Sequence, residues 1–241
     1  MSAALRSGRV VIIGGSSGIG FAVAEAARDE GATVVVASSN AAKVVAAIQR
    51  LGGDASGSAV DVTDEDSVAG FFERLGAFDH LVFTAGDWDA RPAVGGPSAE
   101  WDLGAAEAVF AVRFWGALST IKHGSRCLST AGSITLTDGV VAHRPRKGGA
   151  VSTAMGGAIE HLVRGLAVEL APIRVNAVCP GAILTEVWQS IPEERIRKMT
   201  STQPLPRVGE PAEVAEAYLY LMRATYTTGQ VLIVDGGRTL T

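Results

Sequence analysis

The sequence predicts an α/β fold in which a seven-stranded parallel sheet is doubly wound, with helices on both faces. Short β-branched runs such as Arg9–Ile13 and Thr33–Ala37 alternate with longer segments of helical periodicity. The strands are apolar throughout, which indicates burial on both faces. Glycine supplies 29 of the 241 residues, an excess that lies at turns between the apolar runs. We therefore expect one domain over residues 1–241.

Each element follows from this alternation. The predicted strands, in chain order, are Arg9–Ile13, Thr33–Ala37, Ser58–Val60, His80–Phe83, Ser133–Thr137, Arg174–Val178 and Val231–Val234. The predicted helices are Gly18–Arg28, Ala41–Leu51, Asp64–Leu75, Ser98–Lys122, Ala150–Leu170 and Pro211–Met222. Ligands of such sheets bind beyond the carboxyl ends of the strands. A site is therefore expected in loops 86–97, 138–149 and 180–206, the last being long enough for a lid.

Composition excludes several classes of function. Apolar residues make up 47%, charged residues 19%, and the net charge is -4, so the chain is neither disordered nor a nucleic-acid binder; its one basic cluster is Arg144–Lys147. No apolar run approaches the roughly 20 residues that span a bilayer, so no membrane partner is expected. Met1–Arg9 lacks the apolar core of a signal peptide. Cys127 and Cys179 have no metal or redox spacing, which predicts a cytoplasmic protein without a metal.

A glycine-rich turn joins the first strand to the first helix. Residues 14–20 read Gly-Gly-Ser-Ser-Gly-Ile-Gly. Glycines let the backbone approach a pyrophosphate, while the helix N–H groups and dipole hold its charge. Because strand, turn and helix occur in the required order, a dinucleotide site is favoured over a turn without a ligand.

These motifs resemble those of the short-chain dehydrogenase/reductase family. The family's phosphate loop reads Thr-Gly-x-x-x-Gly-x-Gly, and Ile13 replaces the threonine here. Asp61-Val62 resembles its adenine contact, and Thr84-Ala-Gly86 resembles the end of its Asn-Asn-Ala-Gly motif. Residues 176–185 resemble the segment beside the nicotinamide, and residues 205–215 and 228–237 resemble the C-terminal third. The resemblance implies a single-domain Rossmann fold over nearly the whole chain.

The resemblance also implies a set of cofactor contacts: Gly14, Ser16, Ser17, Gly18, Ile19, Gly20, Ser38, Ser39, Asp61, Val62, Ala85, Gly86, Pro180, Gly181, Ile183 and Thr185. No acid follows the second strand, where one would bind the ribose hydroxyls of NAD(H). Ser38, Ser39 and nearby Lys43 could instead accept a 2′-phosphate, so NADP(H) is favoured over NAD(H). Ser39 or Asn40 could equally serve only as the N-cap of the next helix.

The family's catalytic side chains are missing. Similar enzymes use a tyrosine and a lysine four residues later, and the corresponding positions here are Ser152 and Gly156. The only tyrosines are Tyr218, Tyr220 and Tyr226. Asp138 or Gly139 takes the place of the family serine, and Arg113 that of its asparagine. The resemblance therefore supports a dinucleotide site but leaves the reaction open.

Three hypotheses remain. The first is a reductase of a small carbonyl or imine whose proton comes from water, from the substrate itself or from Asp138 with a raised pKa, although Asp138 could be only a turn residue. The second is a non-redox cyclase, dehydratase or isomerase in which Arg113, Asp138, His143 and Ser152 line the pocket; His143 is expected to be solvated and Ser152 to be a helix N-terminal hydroxyl. The third is an inactive protein that senses NADP(H) or packs as an inactive partner in an oligomer. Trp88 and Trp188 on either side of the cleft favour a small-molecule substrate over the third hypothesis.

The predicted helix at 150–170 carries several small side chains, at Ala154, Gly156, Gly157 and Ala158. In the family this helix pairs across two-fold axes. Small residues permit close approach, which predicts a homodimer or tetramer. The same residues could instead leave room for a bulky substrate.

Overall fold

A computed structural model describes residue 5 and residues 8–86, 97–188 and 191–241. Seven parallel strands form one sheet in the order β3-β2-β1-β4-β5-β6-β7. The order reverses between β1 and β4, so a crevice opens at the carboxyl ends of these strands. The predicted doubly wound fold is confirmed.

The strands are β1 Arg9–Ile13, β2 Thr33–Ser38, β3 Ser56–Ala59, β4 Phe78–Phe83, β5 Leu128–Thr137, β6 Arg174–Pro180 and β7 Val231–Val234. The helices are α1 Gly18–Asp29, α2 Ala41–Leu51, α3 Glu65–Leu75, α4 Leu103–Phe110, α5 Gly116–Gly124, α6 Ala150–Glu169, α7 Glu193–Thr200 and α8 Pro211–Arg223.

Two apolar layers enclose the sheet. Side chains of α1, α2 and α8 pack on one face around Val10 and Ile12, and side chains of α3 to α6 pack on the other around Val11 and Ile13. Successive residues of a strand point to opposite faces, so β1 supplies both layers. This burial explains why the strands read as continuous apolar runs.

The segment predicted as one helix over Ser98–Lys122 is interrupted. A short 3₁₀ turn at Ser98–Glu100 precedes α4, and a π-helical turn at Ala111–Trp115 separates α4 from α5. A π turn adds a residue to the helical turn and therefore changes the direction of the side chains on it. Arg113 lies on this turn.

The other differences are local. The prediction omitted α7, which lies within the long segment after β6, placed β3 two residues too late and began β5 five residues too late. Weak apolar patterning in Ser-Gly-Ser-Ala and in the polar α7 explains these errors. Within the described part of the chain, no helix is both long and apolar enough to cross a membrane.

Candidate active site at the carboxyl edge of the sheet

The glycine turn after β1 is packed too tightly for side chains. A Cβ on Gly14, whose φ is +90°, would lie 2.5 Å from the Ala85 amide nitrogen, and a Cβ on Gly20 would collide with the Gly14 carbonyl oxygen. The hydroxyl of Thr84 donates to the Ile13 carbonyl at 3.1 Å. These contacts join the ends of β1 and β4, so the predicted groups at Gly14, Gly20 and Ala85 lie together.

The first turn of α1 fits a phosphate group. Its N-cap, Ser17, has extended backbone, makes no side-chain capping bond, and no acidic residue occupies the first turn. The N–H groups of an uncapped helix start and the positive end of its dipole attract an anion. Ser17 and Gly18 also line a cleft of about 430 Å³ whose other wall includes Thr185.

The segment after β6 approaches this helix start. A Cβ on Gly18 would lie 3.3 Å from Cγ2 of Thr185. Ile183 is buried and forms a bridge with Gly209, which anchors the segment. Gly181 donates its N–H to the Val234 carbonyl at 2.9 Å. The residues predicted to contact both ends of a dinucleotide therefore share one edge of the sheet.

The adenosine end has two defined positions. Asp61 accepts hydrogen bonds from the Thr63 hydroxyl at 2.7 Å and amide at 2.9 Å, which lower the pKa of its carboxyl. Val62 is buried, and a Cβ on Gly116 would lie 2.8 Å from its Cγ2. Asp61 is thus an exposed, ionised acceptor on a fixed turn.

The turn after β2 serves two roles. Asn40 caps α2 by accepting from the Lys43 amide at 3.0 Å, which confirms one of the two capping alternatives, and Ser38 and Ser39 stay available to a ligand. The ammonium group of Lys43 lies 3.2 Å from Glu186 in the segment after β6. A 2′-phosphate near Ser39 would compete with Glu186 for this cation.

The arrangement fits a dinucleotide. Neighbouring atoms leave no room for side chains at Gly14 and Gly20. The start of α1 has no side-chain cap, and the polar turn after β2 carries no acid. These are the features that a pyrophosphate and a phosphorylated ribose require.

Asp138 is buried at the end of β5. Its side chain is 3% exposed, and its amide donates to the Val178 carbonyl at 2.9 Å. Burial, followed by the neighbouring Glu160, raises the pKa of the Asp138 carboxyl to about 7, although the Gly139 amide and the Cys179 thiol act in the opposite direction. Asp138 is therefore a buried carboxyl at the end of β5, and its role in the reaction stays a prediction.

Glu160 and His143 extend this acidic centre. The Nε2 atom of His143 lies 2.6 Å from Oε1 of Glu160, and these groups together with Asp138 and Cys179 have donor atoms within 4.8 Å of one another. His143 is exposed, as expected, although its ring lies against the buried Glu160 carboxyl. The sequence carried no spacing for this cluster, since its members come from β5, β6, α6 and the loop after β5.

The positions aligned with the family tyrosine and lysine lie on α6. Ser152 is half-buried in the first turn of that helix, as expected. A Cβ on Gly156 would lie 2.5 Å from Oδ1 of Asp138, so the carboxyl occupies the space beside this glycine. Gly156 faces inward, and the prediction that it belongs to an exposed small-residue surface is wrong.

No described tyrosine replaces the missing one. Tyr218 is fully buried, and its hydroxyl lies 2.7 Å from the Thr137 hydroxyl. Burial raises the pKa of Tyr218 far above its ordinary value. Tyr218 therefore stays protonated, and Tyr220 and Tyr226 are exposed.

Arg113 reaches the same sheet edge from the π turn. A Cβ on Gly86 would lie 2.8 Å from its Nη2 atom, so the guanidinium lies over the backbone at the end of β4. Gly86 and Arg113, predicted for different roles, are therefore in contact. The Arg113 guanidinium is therefore a positive charge at the sheet edge that also carries the buried carboxyl of Asp138.

The tryptophan predictions have different outcomes. Trp188 is half-buried, and its amide donates to the Thr185 carbonyl at 2.9 Å. Trp88 lies outside the described residues. Glu160 is the functional candidate that the sequence analysis missed; its signal is an acid four residues after Gly156, on a helix face that is otherwise apolar.

Comparison with known proteins agrees with this geometry. The family model described as enoyl-(acyl carrier protein) reductase matches residues 14–239. The short-chain dehydrogenase/reductase ATR9 of Stachybotrys chlorohalonatus is 36% identical, with 97% of each chain covered. The chain belongs to the short-chain dehydrogenase/reductase family.

Two solved members of the family are similar over almost their full length. A small-chain dehydrogenase in complex with NADPH is 37% identical with a TM-score of 0.83, covering 98% of this chain and 100% of that one. The MalC reductase/Diels-Alderase of Malbranchea aurantiaca is 32% identical with a TM-score of 0.90, covering 100% and 99%. The NADPH complex supports binding of a nicotinamide cofactor, and members of the family act on small-molecule substrates.

Proposed function

We propose that this protein is an NADP(H)-dependent reductase of a small organic carbonyl or imine, in which Asp138 replaces the tyrosine as proton donor. The observation that carries this proposal is a buried carboxyl with a pKa of about 7 at the catalytic edge of the sheet. A group with a pKa near the working pH can both hold and release a proton.

Bound NADPH would supply a hydride to the substrate carbon. The turn at Gly14 to Gly20 and the start of α1 would hold its pyrophosphate, and Asp61 and Val62 would contact the adenosine. Ile183, Thr185 and the neighbouring Pro180 and Gly181 would position the nicotinamide end. Similarity to the NADPH complex supports this assignment.

Asp138 suits a C=N or C=O bond. As a carboxylic acid it donates to the nitrogen or oxygen while the carbon accepts hydride. If the substrate arrives as a protonated imine, the ionised form stabilises the cation instead. One residue therefore serves both substrate forms, which a neutral tyrosine would not do.

Arg113 and Ser152 complete the polar surface. The guanidinium over Gly86 would stabilise negative charge on a substrate oxygen. The Ser152 hydroxyl, in the first turn of α6, would donate a hydrogen bond to the same atom. Trp188 would cover the apolar part of the substrate.

The NADP(H) preference rests on the turn after β2. Ser38 and Ser39 would donate to the 2′-phosphate, and Lys43 would turn from Glu186 to neutralise it. The absence of an acid in this described turn removes the repulsion that selects NAD(H).

A second candidate is a non-redox cyclisation. It is supported by the likeness to a protein described as both a reductase and a Diels-Alderase. Here the pocket would act by orienting one substrate, with Arg113 and Asp138 polarising it. The two functions can also follow one another in a single pocket.

We further place the protein in the cytoplasm as a homodimer or tetramer. Cys127 and Cys179 are both free thiols, which supports a reducing compartment. Large apolar side chains are exposed on the helical layer, among them Trp115 at 63% and Leu103 at 70%. Such groups support a contact with a second copy.

The test begins with calorimetric titration by NADPH, NADP, NADH and NAD. Binding of NADPH is followed by a screen of ketones and cyclic imines for NADPH oxidation, using wild type, Asp138→Asn and the exposed control Asp54→Asn. We expect Asp138→Asn to lower kcat by about 100-fold or more, and Asp54→Asn to have no effect. Unchanged turnover in Asp138→Asn removes this carboxyl from the mechanism. Binding of none of the four nucleotides overturns the reductase.

A further inference from the structure

A chain of titratable side chains runs from Asp138 to the protein surface. Asp138 is 3% and Glu160 7% exposed, whereas the His143 side chain is 32% exposed. A group as buried as Asp138 exchanges protons with water slowly unless other groups carry them. His143 is the exposed end of this chain and Asp138 is its catalytic end.

The two carboxyl groups meet because α6 carries a glycine at the point of contact. A Cβ on Gly156 would lie 2.5 Å from Oδ1 of Asp138, and Glu160 follows one helical turn later on the same face. Neither side-chain oxygen of Asp138 has a hydrogen-bond partner of normal geometry among the described residues. A proton held between the Asp138 and Glu160 carboxyls satisfies both of them.

Among the described side chains that face the Asp138 and Glu160 carboxyls, one can bring a proton to them. His143 contacts Glu160 at 2.6 Å, and Arg164, one turn further along α6, lies 3.9 Å from the other oxygen of Glu160. From β6, Cys179 faces both carboxyls, and burial together with their charges raises the pKa of its thiol, on which Asp235 acts in the same direction. Among the described residues around the pair, the thiol keeps its proton and the guanidinium does not release one, which leaves the imidazole as the group that can both take and give a proton.

We infer that Glu160 and His143 form a proton path that reloads Asp138 from solvent after each turnover, an inference that rests on the reductase function proposed above. Asp138 gives its proton to the substrate nitrogen or oxygen as the substrate carbon accepts a hydride. Protonated His143 then passes its Nε2 proton to Glu160, Glu160 passes a proton to Asp138, and His143 takes a proton from water. One hydride and one proton reach the substrate, and the protein returns to its starting state.

The first test reads the carboxyl pair without any substrate. Infrared difference spectra over a pH titration detect the C=O stretch of a protonated carboxyl. We expect a titrating band that is absent in Asp138→Asn and that titrates at lower pH in Glu160→Gln, because the repelling neighbour is gone. The control Arg164→Gln removes a charge near Glu160 but leaves the pair, so its band is expected to stay near the wild-type position. If the band titrates at the same pH in Glu160→Gln as in wild type, the inference is overturned.

The second test compares one turnover with many. With the substrate found by the screen, the first turnover uses the proton already on Asp138, and later turnovers need the path. In His143→Ala and Glu160→Gln we expect the steady-state rate to fall about tenfold more than the single-turnover rate. Added imidazole is expected to restore His143→Ala but not Glu160→Gln. Equal losses in both rates, or no rescue by imidazole, would mean that the two residues are only structural.

Two further outcomes separate the possibilities. The donor atoms of this cluster are close enough for a metal ion, so elemental analysis of the purified protein is included; one zinc per chain overturns the proton path, because the carboxyls would then bind the metal. If NADPH binds and the infrared band responds to Glu160→Gln, but no carbonyl or imine is reduced, the reductase is overturned while the shared proton is supported.

Discussion

At the scale of single residues, the site depends on the pairing of Asp138 with Gly156. Asp138 lies where the resemblance expects the family serine, and Gly156 lies where it expects the lysine. Here the Asp138 carboxyl fills the space next to a residue without a side chain. A lysine at 156 would not fit beside Asp138, because its Cβ would lie 2.5 Å from Oδ1 of that residue. The sequence identified both replacements, but only their distance shows that they belong together.

The raised pKa of Asp138 predicts a pH-dependent stability. Its folded-state pKa of about 7 exceeds the ordinary value of 3.8, so the folded protein holds the proton more tightly than the unfolded chain. The stabilisation is complete below the unfolded pKa and is lost as the pH rises through about 7. We expect Asp138→Asn to gain about 2 kcal/mol relative to wild type between about pH 5 and about pH 8. Urea unfolding at both pH values measures this, and parallel pH profiles would contradict it.

Two adjacent glycines provide a matched pair. Gly156→Ala would place a Cβ 2.5 Å from Asp138 and 2.8 Å from Ala142, whereas the Cβ of Gly157→Ala meets nothing within 4 Å. We expect Gly156→Ala to destabilise the protein by about 1–3 kcal/mol and Gly157→Ala to stabilise it by about 0.5–1 kcal/mol. Thermal and urea unfolding test both. The loss in Gly156→Ala is expected to shrink when Asp138→Ala is added, and additive effects would argue against contact.

At the scale of elements, the turn between β1 and α1 was predictable in detail. A phosphate loop needs glycines at fixed positions, so its sequence is a local signal. The interrupted helix around Arg113 was not predictable, because a π turn depends on packing rather than on local propensity. The approach of the segment after β6 to α1 likewise depends on the whole sheet.

The tight turn predicts loss of cofactor binding in Gly20→Ala. Its Cβ would strike the Gly14 carbonyl and the Thr84 hydroxyl, so the turn must open. We expect NADPH affinity to fall about tenfold or more. Gly165→Ala on α6 is the control, because its Cβ meets nothing within 4 Å. Calorimetry on variants that are shown to be folded measures this affinity. Wild-type affinity in Gly20→Ala would disprove the assigned pyrophosphate position.

The pair Lys43–Glu186 predicts cofactor selectivity. Lys43→Ala removes the cation proposed for the 2′-phosphate, and Glu186→Gln removes its competitor. We expect the first to weaken NADPH binding about fivefold with little effect on NADH, and the second to strengthen it. Titration of both variants with both nucleotides measures the difference. Equal changes for NADPH and NADH would contradict a role at the phosphate.

At the scale of the whole molecule, the exposed apolar groups of the helical layer carry the assembly prediction. Trp115 is 63% exposed, although its ring contacts Phe114. We expect Trp115→Glu to shift the sedimentation profile towards smaller species, since it would bury a charge in a contact between copies. Val45→Glu, at a 55% exposed site on α2, is the control. A wild-type protein that sediments only as a monomer would remove the assembly prediction.

The sequence by itself determined the fold and the family, and it predicted the dinucleotide end of the site. Apolar strands, helical periodicity and the glycine turn are local patterns, and local patterns are read directly from a chain. It also showed that the usual tyrosine is missing, since tyrosines occur only at 218, 220 and 226.

Only the tertiary structure shows the carboxyl cluster on which the proposed chemistry rests. Asp138, His143 and Glu160 are separated in the chain and show no motif spacing, yet the fold brings their side chains together. Whether a carboxyl holds its proton near neutral pH depends on burial and on its neighbours, and both are properties of packing rather than of sequence. For that reason Asp138, which in the sequence could be only a turn residue, is a buried acid in the folded protein.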